Sequence, residues 1–252
     1  MKGTVFQENC QIDLNILGES WIPGQIIKGT LEIKNLGPGP IAIQNHGVGL
    51  GHGEFKKVQT SNKSALVPDK KTTFEANKML GPGASESLEW SFNLPETAPI
   101  TDKAGSLFIM FGNLEDKQKG GHLQLTVSPR PLIKEFCQLI ENFQRFKVKE
   151  WRQKKDRIQI KLVPPNSREF AGVESLILLT KEVEGSLHLD YEFGLKKIGY
   201  GQGEVAVQKQ DLKLNFVLPL KQITFGKDMI DQDKILNHLN DVFGQAKMKS
   251  NY

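Results

Sequence analysis

The sequence predicts an all-β protein, two tandem antiparallel β-sandwich domains with short accessory helices. Three observations predict it. Apolar and polar side chains alternate over many short stretches, the period of a half-buried strand. Glycine and proline, 24 and 12 of the 252 residues, separate those stretches, as turn residues do between strands. The chain is also about twice as long as a domain of roughly 120 residues, a size that can bury its own core.

In the first half, Cys10, Ile12, Leu14 and Ile16 alternate with Gln11, Asp13 and Asn15. Pro23 and Gly24 then suit the central positions of a type II turn, because proline presets φ and glycine accepts φ > 0. The turn opens a strand in which Ile27, Gly29, Leu31 and Ile33 face one way and Lys28, Thr30, Glu32 and Lys34 the other. These two strands are expected to pair antiparallel. Rows of period two recur at Leu88, Trp90, Phe92 and Leu94, after Gly81-Pro82-Gly83, and at Leu123, Leu125 and Val127. The second half repeats the pattern at Phe146 and Val148, at Ile158, Ile160 and Leu162, at Leu187, Leu189, Tyr191 and Phe193, and at Leu212, Leu214, Phe216 and Leu218. Two runs, LFIMF at 107–111 and LILL at 176–179, are apolar on both faces. Each needs a cover, from a packed element of this chain or from a second subunit.

Two helices are expected. Residues 131–143 begin with proline in the favoured first turn and place Leu132, Phe136, Leu139 and Phe143 on one stripe. Residues 231–244 have Asp231 as N-cap, Ile230 and Ile235 as a hydrophobic staple, Gly244 as a stop, and Ile235, Leu239 and Val242 as the packing stripe. The first helix marks the junction between domains at 1–128 and 129–252.

Charge follows the same division. Residues 1–128 hold 12 Lys and no Arg against 13 acidic residues, while 129–252 hold 21 Lys and Arg against 16. That asymmetry directs an anionic partner to the second domain. No apolar run approaches the roughly 18 to 20 residues of a membrane span, and the opening segment lacks the apolar core of a secretory signal, so the cytoplasm is the expected compartment. Cys10 and Cys137, the only cysteines, are too sparse for a disulfide framework and are expected as free, buried thiols.

Motifs for chemistry are few. HGVGLGHGEF at 46–55 does not lead into an amphipathic helix, so its glycines signal close strand packing rather than a phosphate cradle. His46 and His52 would lie roughly 20 Å apart along a strand and cannot share a metal. His188, Asp190 and Glu192 share one strand face, but a metal site would need a further ligand converging from elsewhere, so a solvated outer face is expected. GYGQGE at 199–204 has the composition of a hairpin tip. No nucleophile elbow, no Cys beside a His and no zincin motif occurs. The expectation is a non-enzyme without cofactor or metal. A ligand- or metal-binding enzyme with its site in the interdomain cleft is the competing reading.

The strongest charged feature is RFKVKEWRQKKDR at 145–157. Arg145, Lys147 and Lys149 alternate with Phe146 and Val148 on a strand, and Arg152, Lys154, Lys155 and Arg157 are expected to extend the cationic surface through a loop. Such a surface suits an acidic protein segment or an anionic membrane surface. Nucleic acid is not expected, since no recognisable nucleic-acid module accompanies the charge.

The block QIDLNILGESWIPGQIIKGTLEIKN at 11–35 resembles the opening of arrestin-like proteins. With SPRPLIKEFCQLIENFQRFKVKEW and FAGVESLILLTKEVEGSLHLDYEF, the chain looks like the bacterial sporulation-control protein family, a branch of the arrestin-like fold. The features that carry the resemblance are Pro131, the strand of Phe146, Val148 and Glu150, the apolar run 176–179, and the acidic hairpin of Glu182 and Glu184. The resemblance implies two tandem β-sandwiches and a non-enzymatic regulatory or adaptor role in the cytoplasm. It carries no catalytic residues. Protein partners, acidic in character, and a homo-oligomer are the expected associations, with capture at strand edges and the basic surface as the mode.

Overall fold

A computed structural model of the chain describes residues 1–59, 66–116, 120–201, 204–225 and 229–250. The chain divides into two compact units, Met1–Ser128 and Pro129–Tyr252. It is mostly β and antiparallel throughout its named sheets.

In the first unit the strands are β1 (Lys2–Gln7), β2 (Cys10–Ile16), β3 (Ile26–Asn35), β4 (Ile41–Ala42) and β5 (His46–Glu54), followed by the short helix α1 (Phe55–Gln59). The strands β6 (Lys70–Thr73), β7 (Met79–Leu80), β8 (Ser85–Asn93), β9 (Gly105–Asn113) and β10 (Gly121–Gln124) complete it. Two four-stranded sheets, ordered β1-β2-β3-β8 and β10-β9-β5-β6, form a sandwich. Ile12, Leu14, Leu31, Ile33, Trp90 and Phe92 from one sheet share a core with Val48, Leu50, Leu107, Ile109 and Phe111 from the other.

The Pro-Gly corner is a type II turn. Gly24 has φ +90°, and the Gln25 N–H donates to the Ile22 carbonyl at 3.2 Å. β3 then pairs with β2 from Cys10↔Asn35 to Ile16↔Gly29. Gly29 sits opposite Trp90, and a Cβ there would press on the Asn15 carbonyl and lie 2.9 Å from the indole. The glycine is therefore required by the approach of an aromatic neighbour and a backbone.

The glycine-rich run is β5, and its glycines serve the same purpose. A Cβ on Gly49 would meet Pro68 at 2.8 Å, and one on Gly51 would run into the Val67 carbonyl. The chain leading into β6 thus lies against the bare face of β5. LFIMF is covered by other elements: its outer-face Phe108 is buried, the ring edge-on to Phe55 of α1 at 6.1 Å and to His122 of β10 at 5.9 Å. The cover comes from this chain.

The second unit opens with α2 (Pro131–Phe143) and continues through β11 (Lys147–Lys154), β12 (Arg157–Val163) and a 3-10 turn at Arg168–Phe170. It then forms β13 (Val173–Val183), β14 (Ser186–Gly201), β15 (Glu204–Pro219), α3 (Leu220–Ile223), β16 (Thr224–Phe225), β17 (Met229–Ile230) and α4 (Gln232–Ser250). One five-stranded sheet runs in the order β11-β12-β13-β14-β15. The sandwich expected over 129–252 has a helical second layer: α2 and α4 cover the inner face, meeting Ile160, Leu162, Leu176, Leu178, Leu189, Tyr191 and Phe193 in one core. The outer sides of Ile177 and Leu179 are half-exposed and flanked by charged neighbours, Glu192 and Asp190. Hairpin β14-β15 pairs out to Gly201↔Glu204; the tip expected at 199–204 includes residues 202 and 203, which lie outside the described residues.

Both helices differ in detail from expectation. Phe143 is 54% exposed, while Ile133, Cys137 and Ile140 are buried beside Leu132, Phe136 and Leu139. The stripe is broader than a strict 4-3-4 row, because α2 is covered by both the sheet and α4. The second helix does not stop at Gly244 but runs to Ser250, since Ala246 is fully buried in the core and holds the next turn down. Its start is as expected: the Lys234 N–H donates to the Asp231 carboxylate at 3.3 Å, and Ile230 and Ile235 are both buried. Cys10 and Cys137 are free and buried.

Gly29→Val is expected to lower the free energy of unfolding by about 3 kcal/mol through overpacking against backbone and indole. Gly39→Ala, where a Cβ meets nothing within 4 Å, is expected to stay within about 0.5 kcal/mol. Urea unfolding followed by tryptophan fluorescence measures both.

Candidate functional site

The basic segment forms the outermost strand of the second sheet. Phe146 is fully buried and anchors its start, preceded by Arg145 in the left-handed region at φ +61°. The pairing of β11 with β12 shifts register between Val148 and Glu150, so Lys149 is an extra, bulged residue. A bulge resets which side chains face the core. Trp151 therefore returns to the inner face opposite Ile160, although unbroken alternation from Phe146 and Val148 would have turned it outward.

That bulge corrects the expected loop. Arg152 and Lys154 belong to β11, Arg157 begins β12, and only Lys155 and Asp156 form the turn between them. Lys155 has φ +56°. The seven predicted cations do lie on one hairpin, but they are not equivalent. Arg152 pairs with Glu150 at 3.0 Å. Arg157 is half-buried and reaches over β13 to the Asp190 carboxylate, which also accepts from Asn215 Nδ2 at 2.7 Å. Arg145, Lys147, Lys149, Lys154 and Lys155 are exposed and form no ion pair among the described residues.

Elsewhere the outer face of this sheet is electrostatically matched. Lys181 holds Asp156 at 2.9 Å and Lys213 holds Glu192 at 2.9 Å. The hydrogen bond from Lys181 holds the Asp156 carboxyl below its ordinary range. Asp190 and Glu192, grouped with His188 in the sequence, are thus engaged by cations and by Asn215. Among the described residues no group of three His, Cys, Asp or Glu is placed to hold a metal.

The free edge of β11 is partly closed. Its Val148 N–H donates to the Glu141 carboxylate of α2 at 2.9 Å. A carboxylate cap, a bulge and a row of lysines all resist the addition of another strand. The cations are presented by side chains, on an edge that discourages backbone pairing.

One polar contact escaped the sequence reading. His238 on α4 meets the Tyr191 hydroxyl at 3.0 Å, with Phe216 edge-on to the imidazole at 4.7 Å. Its spacing of three from Ile235 on a helical period was the available signal. Burial pushes the His238 pKa down, partly opposed by Asp241, and burial pushes the Tyr191 phenol well up. The imidazole Nε2 and the phenol share one hydrogen bond, whose direction follows the imidazole tautomer. In the first unit, His46 is buried with its Nδ1 unpartnered, and desolvation lowers its pKa as well. His52 is exposed.

Taken together, the architecture defines a class: a β protein of two units with an arrestin-like fold, carrying a cation-rich hairpin in the second. The chain has the fold of Spo0M, a sporulation control protein from Bacillus subtilis, whose crystal structure superposes with a TM-score of 0.61 at 17% identity, covering 95% of this chain and 99% of that one. Two other solved structures align much more loosely. The alkylpurine DNA glycosylase AlkC of Pseudomonas fluorescens, bound to DNA containing an abasic site analog, has a TM-score of 0.30 at 15% identity, over 47% of this chain and 30% of its own. The secreted serine protease VesC of Vibrio cholerae has 0.26 at 15% identity, over 85% and 44%. Neither carries an argument about this chain. No protein-family model matches the sequence, and no curated protein matches it either. Among the described residues no helix is long and apolar enough to cross a membrane.

Both histidines have folded-state pKa values below their ordinary value of 6.5. Their neutral forms are favoured by folding, so the associated stability is present above that value and is lost as pH falls below it. Urea midpoints are expected to drop between about pH 7.5 and about pH 5, and His238→Gln and His46→Gln are each expected to shrink the drop.

Proposed function

We propose that this chain is a non-catalytic regulatory adaptor of the cytoplasm that docks an acidic segment of a protein partner on the β11-β12 hairpin. The observation that carries this reading is the contrast in charge matching. Acidic partners engage Arg152, Arg157, Lys181 and Lys213, whereas Arg145, Lys147, Lys149, Lys154 and Lys155 remain exposed and without an ion pair among the described residues. Exposed like charges repel one another and gain most from an incoming polyanion. The fold shared with a sporulation control protein supports a regulatory rather than a chemical role, and the second unit concentrates the positive charge of the chain.

The mode is side-chain electrostatics, not strand addition at this edge. The Glu141 cap and the bulge at Lys149 withhold the backbone groups that a captured strand would need. Contacts made through exposed lysines are screened by salt, with a Debye length of about 10 Å at 0.1 M.

The test is binding of a fluorescent peptide of alternating glutamate and leucine, with its glutamine counterpart as control. Affinity for the acidic peptide is expected to fall at least tenfold as salt is raised to about 0.5 M, and to be lost in Lys147→Glu/Lys149→Glu/Lys154→Glu. Equal binding of both peptides, or an unaffected variant, overturns the proposal. Binding only to anionic vesicles assigns the surface to a membrane instead.

A further inference from the structure

The two outer edges of the second sheet are built differently. β11 is interrupted by its bulge and capped by Glu141. β15 pairs with β14 without a register shift from Ser186↔Pro219 to Gly201↔Glu204. No strand lies on its far side among the described residues, and its only proline is its last residue, Pro219. A long, regular edge is a template for pairing with another chain.

Its inner row is also incompletely covered. Leu212, Leu214, Phe216 and Leu218 pack against the core but remain half-exposed. Their neighbours on β14, Leu187, Leu189, Tyr191 and Phe193, are fully buried. Phe216 meets Tyr191 at 6.1 Å and His238 at 4.7 Å, and on the outer face Val217 is 57% exposed.

We propose that a second copy of this chain adds to β15, antiparallel about a two-fold axis through Leu214. About that point the strand is self-complementary: apolar residues meet apolar ones and no like charges are opposed. Leu214 meets the partner's Leu214, and Leu212 meets the partner's Phe216 twice over by symmetry. On the outer face Lys213 meets the partner's Asn215 and Asp211 meets the partner's Val217, so no like charges oppose each other. Moving the axis by one residue, to Lys213, would set that ammonium against its own copy, a destabilising cross-strand pair. An axis perpendicular to the sheet keeps both helical layers on one side, so the two apolar rows become continuous. The contact spans residues 209–219 of each copy, an interface at the small end of specific ones, consistent with a dissociation constant of about 1–100 μM.

Sedimentation equilibrium of the full chain from about 1 to 300 μM is expected to show a reversible monomer–dimer equilibrium. Asn215 is exposed but its amide holds the Asp190 carboxylate at 2.7 Å, so the urea midpoint of each variant is measured beside its dimer constant. Asn215→Lys sets a cation against the partner's Lys213 twice and is expected to weaken the dimer about threefold to tenfold, while Asn215→Glu is expected to tighten it. A monomer throughout the range overturns the proposal. So does a dimer whose constant is unmoved by both variants, or moved in the same direction by both.

Discussion

The second unit depends on one aromatic junction. Phe243 of α4 meets Phe146 at 5.0 Å, Phe170 at 6.0 Å and Phe193 at 5.5 Å, each close to perpendicular, the edge-to-face geometry that the ring quadrupole favours. Each ring belongs to a different part of the chain: the entry to β11, the 3-10 turn, the sheet interior and the last helix. Without the junction, α4 would lose its seat on the sheet and β11 its anchor. The buried Tyr191 and its half-buried partner His238 lie on the same helix-sheet contact.

That anchor makes the cationic hairpin a presented surface rather than a loose charged loop. Phe146 and Trp151 hold β11 from the inner side, and the bulge between them lets a strand with two inward aromatics and an odd spacing keep its register. The cost is an edge with an irregular ladder, which Glu141 closes by accepting the Val148 N–H. Charge on this strand is therefore exposed, while its backbone edge is partly closed.

The outer face of the sheet shows the opposite balance. Arg157, Asp190 and Asn215 link β12, β14 and β15 in one polar chain, and exposed pairs such as Lys213 and Glu192 contribute little to stability because water screens them. Their larger effect is to cancel field on that face, whereas five neighbouring cations of the hairpin segment are exposed without an ion pair among the described residues. The distinctive feature of the first unit is glycine at positions where backbone or aromatic neighbours come close.

Much of the architecture was legible in the sequence because strands with one buried face must alternate, and Cys10 to Ile16, Ile27 to Ile33 and Leu187 to Phe193 do so without exception. Pro23 and Gly24 declared their turn by their own dihedral preferences. Asp231 declared a helix start for the same local reason. What lay beyond the sequence was decided by contacts between distant residues. The bulge at Lys149 is settled only by pairing with β12, the continuation of α4 past Gly244 only by burial of Ala246, and the helical cover of the second sheet only by α2 and α4 converging on it. The site divides in the same way: composition located seven cations, but only tertiary structure could separate the two that Glu150 and Asp190 engage from the five left exposed, because ion pairing depends on distance in space and not along the chain.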